Sequence, residues 1–376
     1  MIPYYYSSVN ILIIDNSIAF TGAFKCALNE AEILSGQHKF IFALPAGSKA
    51  LRIAEKKGYK VYPIPFREIS RSPKVILQYP FSLLRNLFTL RSIVKKEQID
   101  VVQVNDFYNL LGALLKLTGY KGKLLTYVRF LPSSLPAPLR SFWTKVAQRF
   151  SHRVIAVSDA VLKELPNHLH TIRIYDPVKL EEQYPEKKTS DADRELVILL
   201  YLANFTRGKG QEYALAAFHS AYKQNPNLRL RFVGGDLGLA KNAAFRSELE
   251  NSVSQLQLGE VVSFTNFTND IERELKETDI LLNFSEAESF SMTCLEAGFY
   301  GVPVIATRCG GPEEIVKDGI TGLLVGKKDI ASMIEAIQLL ANDKERRLEM
   351  GDAARSYVRE TFSVDKFQSE LSQILQ

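Results

Sequence analysis

Cysteine is scarce: the 376 residues hold three, Cys26, Cys294 and Cys309. Three thiols cannot build a disulfide framework, and none is paired at zinc-ligand spacing. They read as small residues of a reduced interior. Long hydrophobic runs are missing as well. The stretch Val197–Ala203 is among the longest, far below the roughly 20 apolar residues of a membrane span. Ile11–Ile14 is too short for a signal-peptide core, and no small-residue cleavage site follows it. The expectation is a chain that stays in the cytoplasm. Internal repeats and low-complexity segments are absent. No G-x-G-x-x-G follows the first strand, and neither G-x-x-x-x-G-K-[ST] nor G-x-S-x-G occurs. His168 and His170 lack a Cys or carboxylate partner at useful spacing, so they read as a surface loop rather than a metal site.

What is present is ordinary in amount and uneven in placement. Hydrophobic residues are 46% and charged residues 24%, as in soluble globular chains, and the length favours two domains. The net charge of +5 hides two opposite halves. Residues 1–180 carry 25 Lys and Arg against 11 Asp and Glu, whereas residues 181–376 carry 22 against 31. A basic half is drawn to something anionic, such as a membrane surface, a phosphorylated acceptor or nucleic acid.

Periodicity gives the architecture. Asn10–Asp15, Lys39–Leu44, Ile99–Val104, Lys123–Val128 and Val154–Val157 are short apolar runs that read as buried parallel strands. Helices are expected over Thr21–Ser35, over about 108–118 and from Ser158 or Asp159 onward. Residues 179–194 break the alternation: nine of the sixteen are charged, and Pro185 lies among them. This stretch reads as a linker. Strands resume at Leu196–Tyr201, Leu228–Val233, Val261–Phe264, Ile280–Asn283, Val302–Ile305 and Gly322–Val325, and residues 344–376 read as two helices broken at Phe362-Ser363. The fold class is therefore α/β, with two doubly wound parallel-sheet units in tandem. Such sheets bind ligands at the carboxyl ends of their strands, and two units facing each other make a cleft suited to a small molecule.

The stretch 279–325 carries the chemistry. The expected strand 280–283 leads through Glu286–Ser291 into a helix over about 291–300. First-turn amides of that helix have no intrahelical partner and lie at its positive end, which makes a phosphate site in waiting. Small residues Ser289 and Ser291 let an anion approach. Glu288 and Glu296 bracket the site; nearly two helical turns separate them, about 10 Å on one side. That is roughly the reach from a sugar across a diphosphate to a ribose. A later strand ends in Gly310-Gly311-Pro312-Glu313-Glu314, where adjacent glycines let backbone N–H groups come close to a ligand. Each element alone also reads as a capped helix and nothing more.

Taken together these residues resemble the retaining glycosyltransferases of family 4, the group 1 transferases of GT-B architecture. The resemblance rests on Glu288-x7-Glu296, Leu295-Glu-Ala297, Gly301-x-Pro-Val-Ile-Ala306, Gly310-Gly311, Glu314 and Gly319-x-x-Gly322. It implies two Rossmann-like domains: an acceptor domain at 1–178, a linker at 179–194, a nucleotide-sugar domain at 195–358, and a helix at 359–376 returning to the first domain. Closure of the domains about the linker would keep water from the donor. On this resemblance Glu288 holds hydroxyls of the donor sugar, and the backbone at Ser289, Phe290 and Ser291 holds the diphosphate. Gly310 and Gly311 belong to the same donor site. Glu296 binds the ribose hydroxyls, and Asn266, Phe267 and Thr268 lie along the base. Lys209 neutralises the diphosphate as it leaves. Gly22 is the backbone approach from the first domain.

The chain departs from the family pattern at three places. Asn204 stands where the family has Gly-Arg, and Arg207 is the candidate to supply the missing charge. Arg129, on the sugar or acceptor side, replaces a His. Thr21 and Ala23 flank Gly22 without the usual second glycine. The reaction implied is retaining and metal-independent, with no cofactor, and moves a sugar from a nucleoside diphosphate sugar to an acceptor hydroxyl. The acceptor would be a glycan or a lipid-linked molecule in polysaccharide or glycolipid synthesis; nucleic acid is not expected. Phe142 and Trp143 among Arg140, Lys145, Arg149 and Arg153, after the proline-punctuated segment 130–140, suit an anionic membrane surface at the inner face. The segment Phe81–Lys96 pairs apolar residues with cations in the same way, or is a core-facing helix with snorkelling cations. The rival readings are a catalytically silent sugar-nucleotide-binding protein, an inverting transferase and a nucleotide-sugar epimerase.

Overall fold

A computed structural model describes residues 8–66, 73–178, 195–268 and 270–375. The chain forms two units, one of Met1–Lys179 with Val364–Gln376, the other of Leu180–Ser363. The expected linker at 179–194 lies outside the described residues.

The first unit runs β1 (Asn10–Ile14), α1 (Gly22–Leu34), β2 (Lys39–Pro45), α2 (Lys49–Lys56), β3 (Lys60–Ile64), α3 (Pro73–Lys96), β4 (Val101–Val104), α4 (Leu111–Leu117), β5 (Lys123–Val128), α5 (Ala137–Phe150), β6 (Arg153–Ala156), α6 (Asp159–Glu164) and β7 (Thr171–Arg173). Its sheet has the order β3-β2-β1-β4-β5-β6-β7, parallel throughout. Ile11 to Ile14 and Val101 to Val104 are all buried, because helices cover both faces. The strands that sequence reading passed over are the two edges. β3 contains Pro63, whose missing N–H an edge tolerates, and β7 has only half-buried residues, so neither shows a long apolar run. Thr21 caps α1 by accepting from the Phe24 amide at 3.2 Å, and Ser158 caps α6 through the Val161 amide at 3.0 Å.

The second unit runs β8 (Val197–Leu202), α7 (Gln211–Tyr222), β9 (Leu228–Val233), α8 (Ala240–Gln255), β10 (Val262–Thr265), α9 (Ile271–Lys276), β11 (Ile280–Asn283), α10 (Met292–Phe299), β12 (Val304–Thr307), α11 (Pro312–Ile315), β13 (Gly322–Val325), α12 (Ile330–Asn342) and α13 (Lys344–Thr361). Its sheet order is β10-β9-β8-β11-β12-β13, again parallel. The core includes Phe205, Phe218, Phe232 and Phe284, all fully buried. In each sheet the chain reverses direction across the sheet once, between β1 and β4 and between β8 and β11. Such a reversal is where an open parallel sheet offers a crevice at the carboxyl ends of its strands.

The last helix, α14 (Val364–Leu375), groups with the first unit. Gln368 Nε2 donates to the Ile33 carbonyl at 3.1 Å, and Lys123 Nζ donates to the Ile374 and Leu375 carbonyls, each at 3.1 Å. The crossing falls at Phe362-Ser363 rather than at 358/359, because α13 continues unbroken to Thr361. One further expectation changes. Residues 137–150 form a helix, and Trp143 is buried on it with its ring edge-on to Tyr108 at 6.2 Å, so it cannot reach a surface ligand. Among the described residues, no helix is long and apolar enough to cross a membrane.

Candidate active site

The loops after β8 and β11 meet at the crevice of the second sheet. The loop after β8 enters α7 through Gly210, whose φ is +83°. A Cβ at Gly210 would stand 2.0 Å from the Phe284 carbonyl oxygen, so only glycine lets this loop lie against the exit of β11. Tyr201, buried on β8, ties the loops together. Its hydroxyl donates to the Lys209 carbonyl and accepts from the Phe284 amide at 2.8 Å. The Glu286 amide donates to the Gly208 carbonyl at 2.8 Å.

With its backbone held in this way, Lys209 reaches across to Glu288. Nζ and Oε1 are 2.6 Å apart, and Ser285 Oγ donates to the same carboxylate oxygen at 3.0 Å. Burial opposes the lysine charge, but Glu288 outweighs it and holds the Lys209 pKa above its ordinary value. The ammonium is therefore charged, fixed and part-exposed at the mouth of the crevice. Glu286 is tied down instead: it accepts from Tyr213 at 2.8 Å and pairs with Lys328 at 2.9 Å, which lowers its pKa.

The turn 288–291 sits directly before α10. Ser291 takes a left-handed conformation, φ +88°, unusual for a residue with a Cβ. Its Oγ accepts from the Cys294 amide at 3.4 Å and from Asn283 Nδ2 at 2.9 Å. Backbone strain at Ser291 is thus held in place by a buried side chain at the end of β11. Glu296 lies buried on α10. The sulfurs of Cys294 and Cys309 are pushed up to about 12 by burial, so both stay protonated and unreactive.

Gly310 and Gly311 play a different part from the one expected. The Gly311 amide donates to the Glu288 carbonyl at 2.9 Å, and the Glu288 amide donates to the Cys309 carbonyl at 3.1 Å. The Gly310 amide donates to Glu313 Oε1 at 3.1 Å. Both glycine amides are used inside the protein rather than aimed at a ligand. A Cβ at Gly311 would lie 2.2 Å from Phe290 Cα, so this glycine exists to let the turn 288–291 lie against it.

Other expected residues line the loops after β8 and β10. Asn204 Oδ1 accepts from the Gly235 amide at 3.2 Å. Asn266 Oδ1 accepts from Arg246 Nη1 at 2.6 Å, Phe267 is exposed, and Thr268 Oγ1 accepts from the Asp270 amide at 3.0 Å. Arg207 is a correction. It pairs with Glu248 and stands over the Phe245 ring at 4.9 Å, turned to α8 rather than to Lys209 and Glu288.

In the first unit, Gly22 opens α1 and is exposed, and an added Cβ would meet nothing within 4 Å. No internal packing accounts for a glycine there. Arg129 is a second correction: its side chain is buried rather than presented to a ligand. Nη1 pairs with Asp176 at 2.6 Å, Nε donates to Asn105 Oδ1 at 2.6 Å, and the guanidinium lies over the Tyr127 ring at 4.4 Å. Asn105 in turn donates to Asp15 and to the Ala23 carbonyl, the latter at 3.1 Å. This charged cluster sits at the ends of β1, β4 and β5. Sequence reading missed Asp15, Asn105 and Asp176; for Asp15 and Asn105 the polar residue closing an apolar strand was the available signal, and Asp176, three residues past β7, had none. Tyr201 carried none, since a tyrosine inside a buried strand reads only as core.

Residues 182–357 match the family model described as glycosyl transferases group 1, and residues 20–180 match that of glycosyltransferase family 4. The chain belongs to the group 1 glycosyltransferases. N-acetyl-alpha-D-glucosaminyl L-malate synthase of Bacillus anthracis is 26% identical to it, over 84% of this chain and 84% of that one. A GDP-mannose-dependent phosphatidylinositol monomannoside mannosyltransferase of Mycolicibacterium smegmatis is 27% identical, over 57% of this chain and 56% of its own. Among solved structures, Anabaena HepE in complex with UDP and glucose matches with a TM-score of 0.81 and 20% identity, over 98% of this chain and 99% of that one. Sucrose-phosphate synthase from Thermosynechococcus elongatus matches at 0.78 and 18%, over 97% and 98%. The fold is GT-B, two parallel-sheet Rossmann-like domains.

Proposed function

We propose that this transferase moves a hexosyl group from a nucleoside diphosphate sugar to an acceptor hydroxyl with retention of configuration. The observation that carries the reading is the Lys209–Glu288 pair at the crevice between β8 and β11, immediately before α10. A diphosphate seated at the start of α10 would meet the helix's positive end and the Lys209 ammonium. Glu288 would then be released to a sugar hydroxyl, while Glu296 faces the ribose. The anomeric C–O bond to the diphosphate breaks as the acceptor oxygen bonds to the same carbon on the same face. The acceptor proton passes to the departing phosphate oxygen. Lys209 stabilises the charge that develops there, so the step needs no protein nucleophile and no metal. Among the described residues, no group of three or more His, Cys, Asp or Glu could hold a metal ion. The chain's one Asp-x-Asp, Asp191-Ala-Asp193, lies outside them.

A glycan or lipid-linked acceptor, in polysaccharide or glycolipid synthesis at the inner face of an anionic membrane, fits the basic first half of the chain. The three buried thiols fit a reducing compartment. A second reading, donor binding without turnover, draws on Arg207, which is engaged by Glu248. One experiment separates them. A thermal-shift screen of UDP-, GDP- and ADP-sugars identifies the donor, since ligand raises the melting temperature of the native state. Incubation with that donor then tests for nucleoside diphosphate release, and NMR of the product reads the anomeric configuration. A shift without release supports binding alone, and an inverted product overturns retention.

A further inference from the structure

Helix α3 carries two apolar faces. Leu87, Leu90 and Ile93 are buried in the core of the first unit. On the other side Leu77, Phe81, Leu84 and Phe88 are 74%, 73%, 52% and 69% exposed. Their spacing, four, three and four residues, keeps them within an arc of about 60° at about 100° per residue. The stripe runs roughly 16 Å along the axis, at about 1.5 Å per residue. Scattered exposed leucines need no explanation, but four large side chains in one line do.

Cations continue the stripe. Arg85, Arg91 and Lys95 are exposed. On the same helical wheel Lys95 falls in line with Phe81 and Phe88, while Arg85 and Arg91 flank them. Residues 73–96 contain no Asp or Glu at all. Two copies meeting through this face would bring these cations together, so the charge argues against self-association. An apolar line flanked by cations, with its polar tips outward, matches an anionic lipid surface.

We propose that this face of α3 lies in the interfacial layer of an anionic bilayer, with Phe81 and Phe88 among the headgroups and Arg85, Arg91 and Lys95 on the lipid phosphates. It gives the membrane of the proposed function a particular contact and rests on that reading only for the kind of surface. It also moves the contact away from Trp143, which is buried.

The test is co-sedimentation of the full chain with vesicles of phosphatidylcholine alone or mixed equally with phosphatidylglycerol, at low and at physiological salt. Binding is expected only to the mixed vesicles, and salt should weaken it. The double variant Phe81→Ser, Phe88→Ser should lower the partition constant about tenfold for each ring removed. The triple variant Arg85→Gln, Arg91→Gln, Lys95→Gln should lower it about fivefold per charge. Leu169→Ser, at an exposed leucine off this helix, should leave it unchanged. Unaltered circular dichroism and an unaltered thermal shift with the donor show that each variant is folded. The proposal is overturned if wild-type protein ignores mixed vesicles at low salt, if the α3 variants bind as wild type, or if Leu169→Ser loses as much. It is overturned too if the protein is a dimer that Phe81→Ser with Phe88→Ser dissociates and no vesicle binds. Vesicle binding without donor binding would instead sink the proposed function and leave the α3 contact standing.

Discussion

Lys209 and Glu288 stand 2.6 Å apart on loops from adjacent strands, and the carboxylate holds the lysine pKa above its ordinary value before any ligand arrives. On the proposed function, a donor diphosphate would compete for the same ammonium. Lys209→Ala should therefore weaken donor binding by about 1.5–3 kcal/mol, roughly 10- to 150-fold, the cost of a charge-assisted contact. Calorimetry with the donor from the screen measures it, and unchanged affinity would take Lys209 out of the site.

Glu296→Ala should cost a similar amount, about 1.5–3 kcal/mol of donor affinity, if its carboxylate accepts from ribose hydroxyls. The same titration with the 2′-deoxy donor should then show no further loss in the variant. Additive losses would place Glu296 elsewhere.

Transfer should survive EDTA. The positive potential at the leaving group is assigned to Lys209 and the start of α10, which a chelator does not touch. Activity lost with EDTA and restored by magnesium or manganese would contradict that assignment.

Tyr201→Phe should lower stability by about 1–3 kcal/mol, because it strands the buried Phe284 amide and takes from the Lys209 carbonyl the shorter of its two side-chain donors, leaving Ser285 Oγ at 3.4 Å. Urea unfolding reads the cost. A midpoint equal to wild type would show that the hydroxyl does not hold the loops.

Stability should fall as pH rises from about 4.5 toward 7, through Glu30. Burial pushes its carboxyl from 4.5 up to about 7 even with Arg129 nearby. The folded state thus favours the protonated acid. Its contribution is present in full below the unfolded value and is lost as pH passes the folded one, about 3 kcal/mol in all. Glu30→Gln should match wild type at acid pH and exceed it at pH 8 in thermal melts. A constant difference across that range would count against this account.

The central strands were legible because burial on both faces writes an unbroken apolar run. Lys123–Val128 and Ile280–Asn283 fall where the runs fall. The edges β3 and β7 were not legible, since both are half wet and carry no such run, whereas the edge β13 shows its short run Gly322-Leu-Leu-Val325. In the site, Glu288 was legible from its place just before a helix start and its spacing to Glu296, whereas Lys209, in the polar stretch 204–212, was legible only through the resemblance to the family. Arg207 and Arg129 were misplaced for one reason: a charge read from sequence has no direction, and Glu248 and Asp176 decide where each points. Gly311 shows the same limit. Its need for glycine is plain from 2.2 Å of clearance to Phe290, yet sequence cannot tell a close approach to protein from one to a ligand.

The first unit is built from two stretches of chain, and that sets an order of assembly. Lys123 holds the carbonyls of Ile374 and Leu375, which lie 251 and 252 residues further along the chain. At about 5–20 residues per second, the second unit between them takes on the order of 10–40 s to synthesise. Throughout that interval the first unit waits without α14, while the second, contiguous in the chain, can close as soon as it emerges. The unit whose strands are made earlier is thus the one to finish folding later.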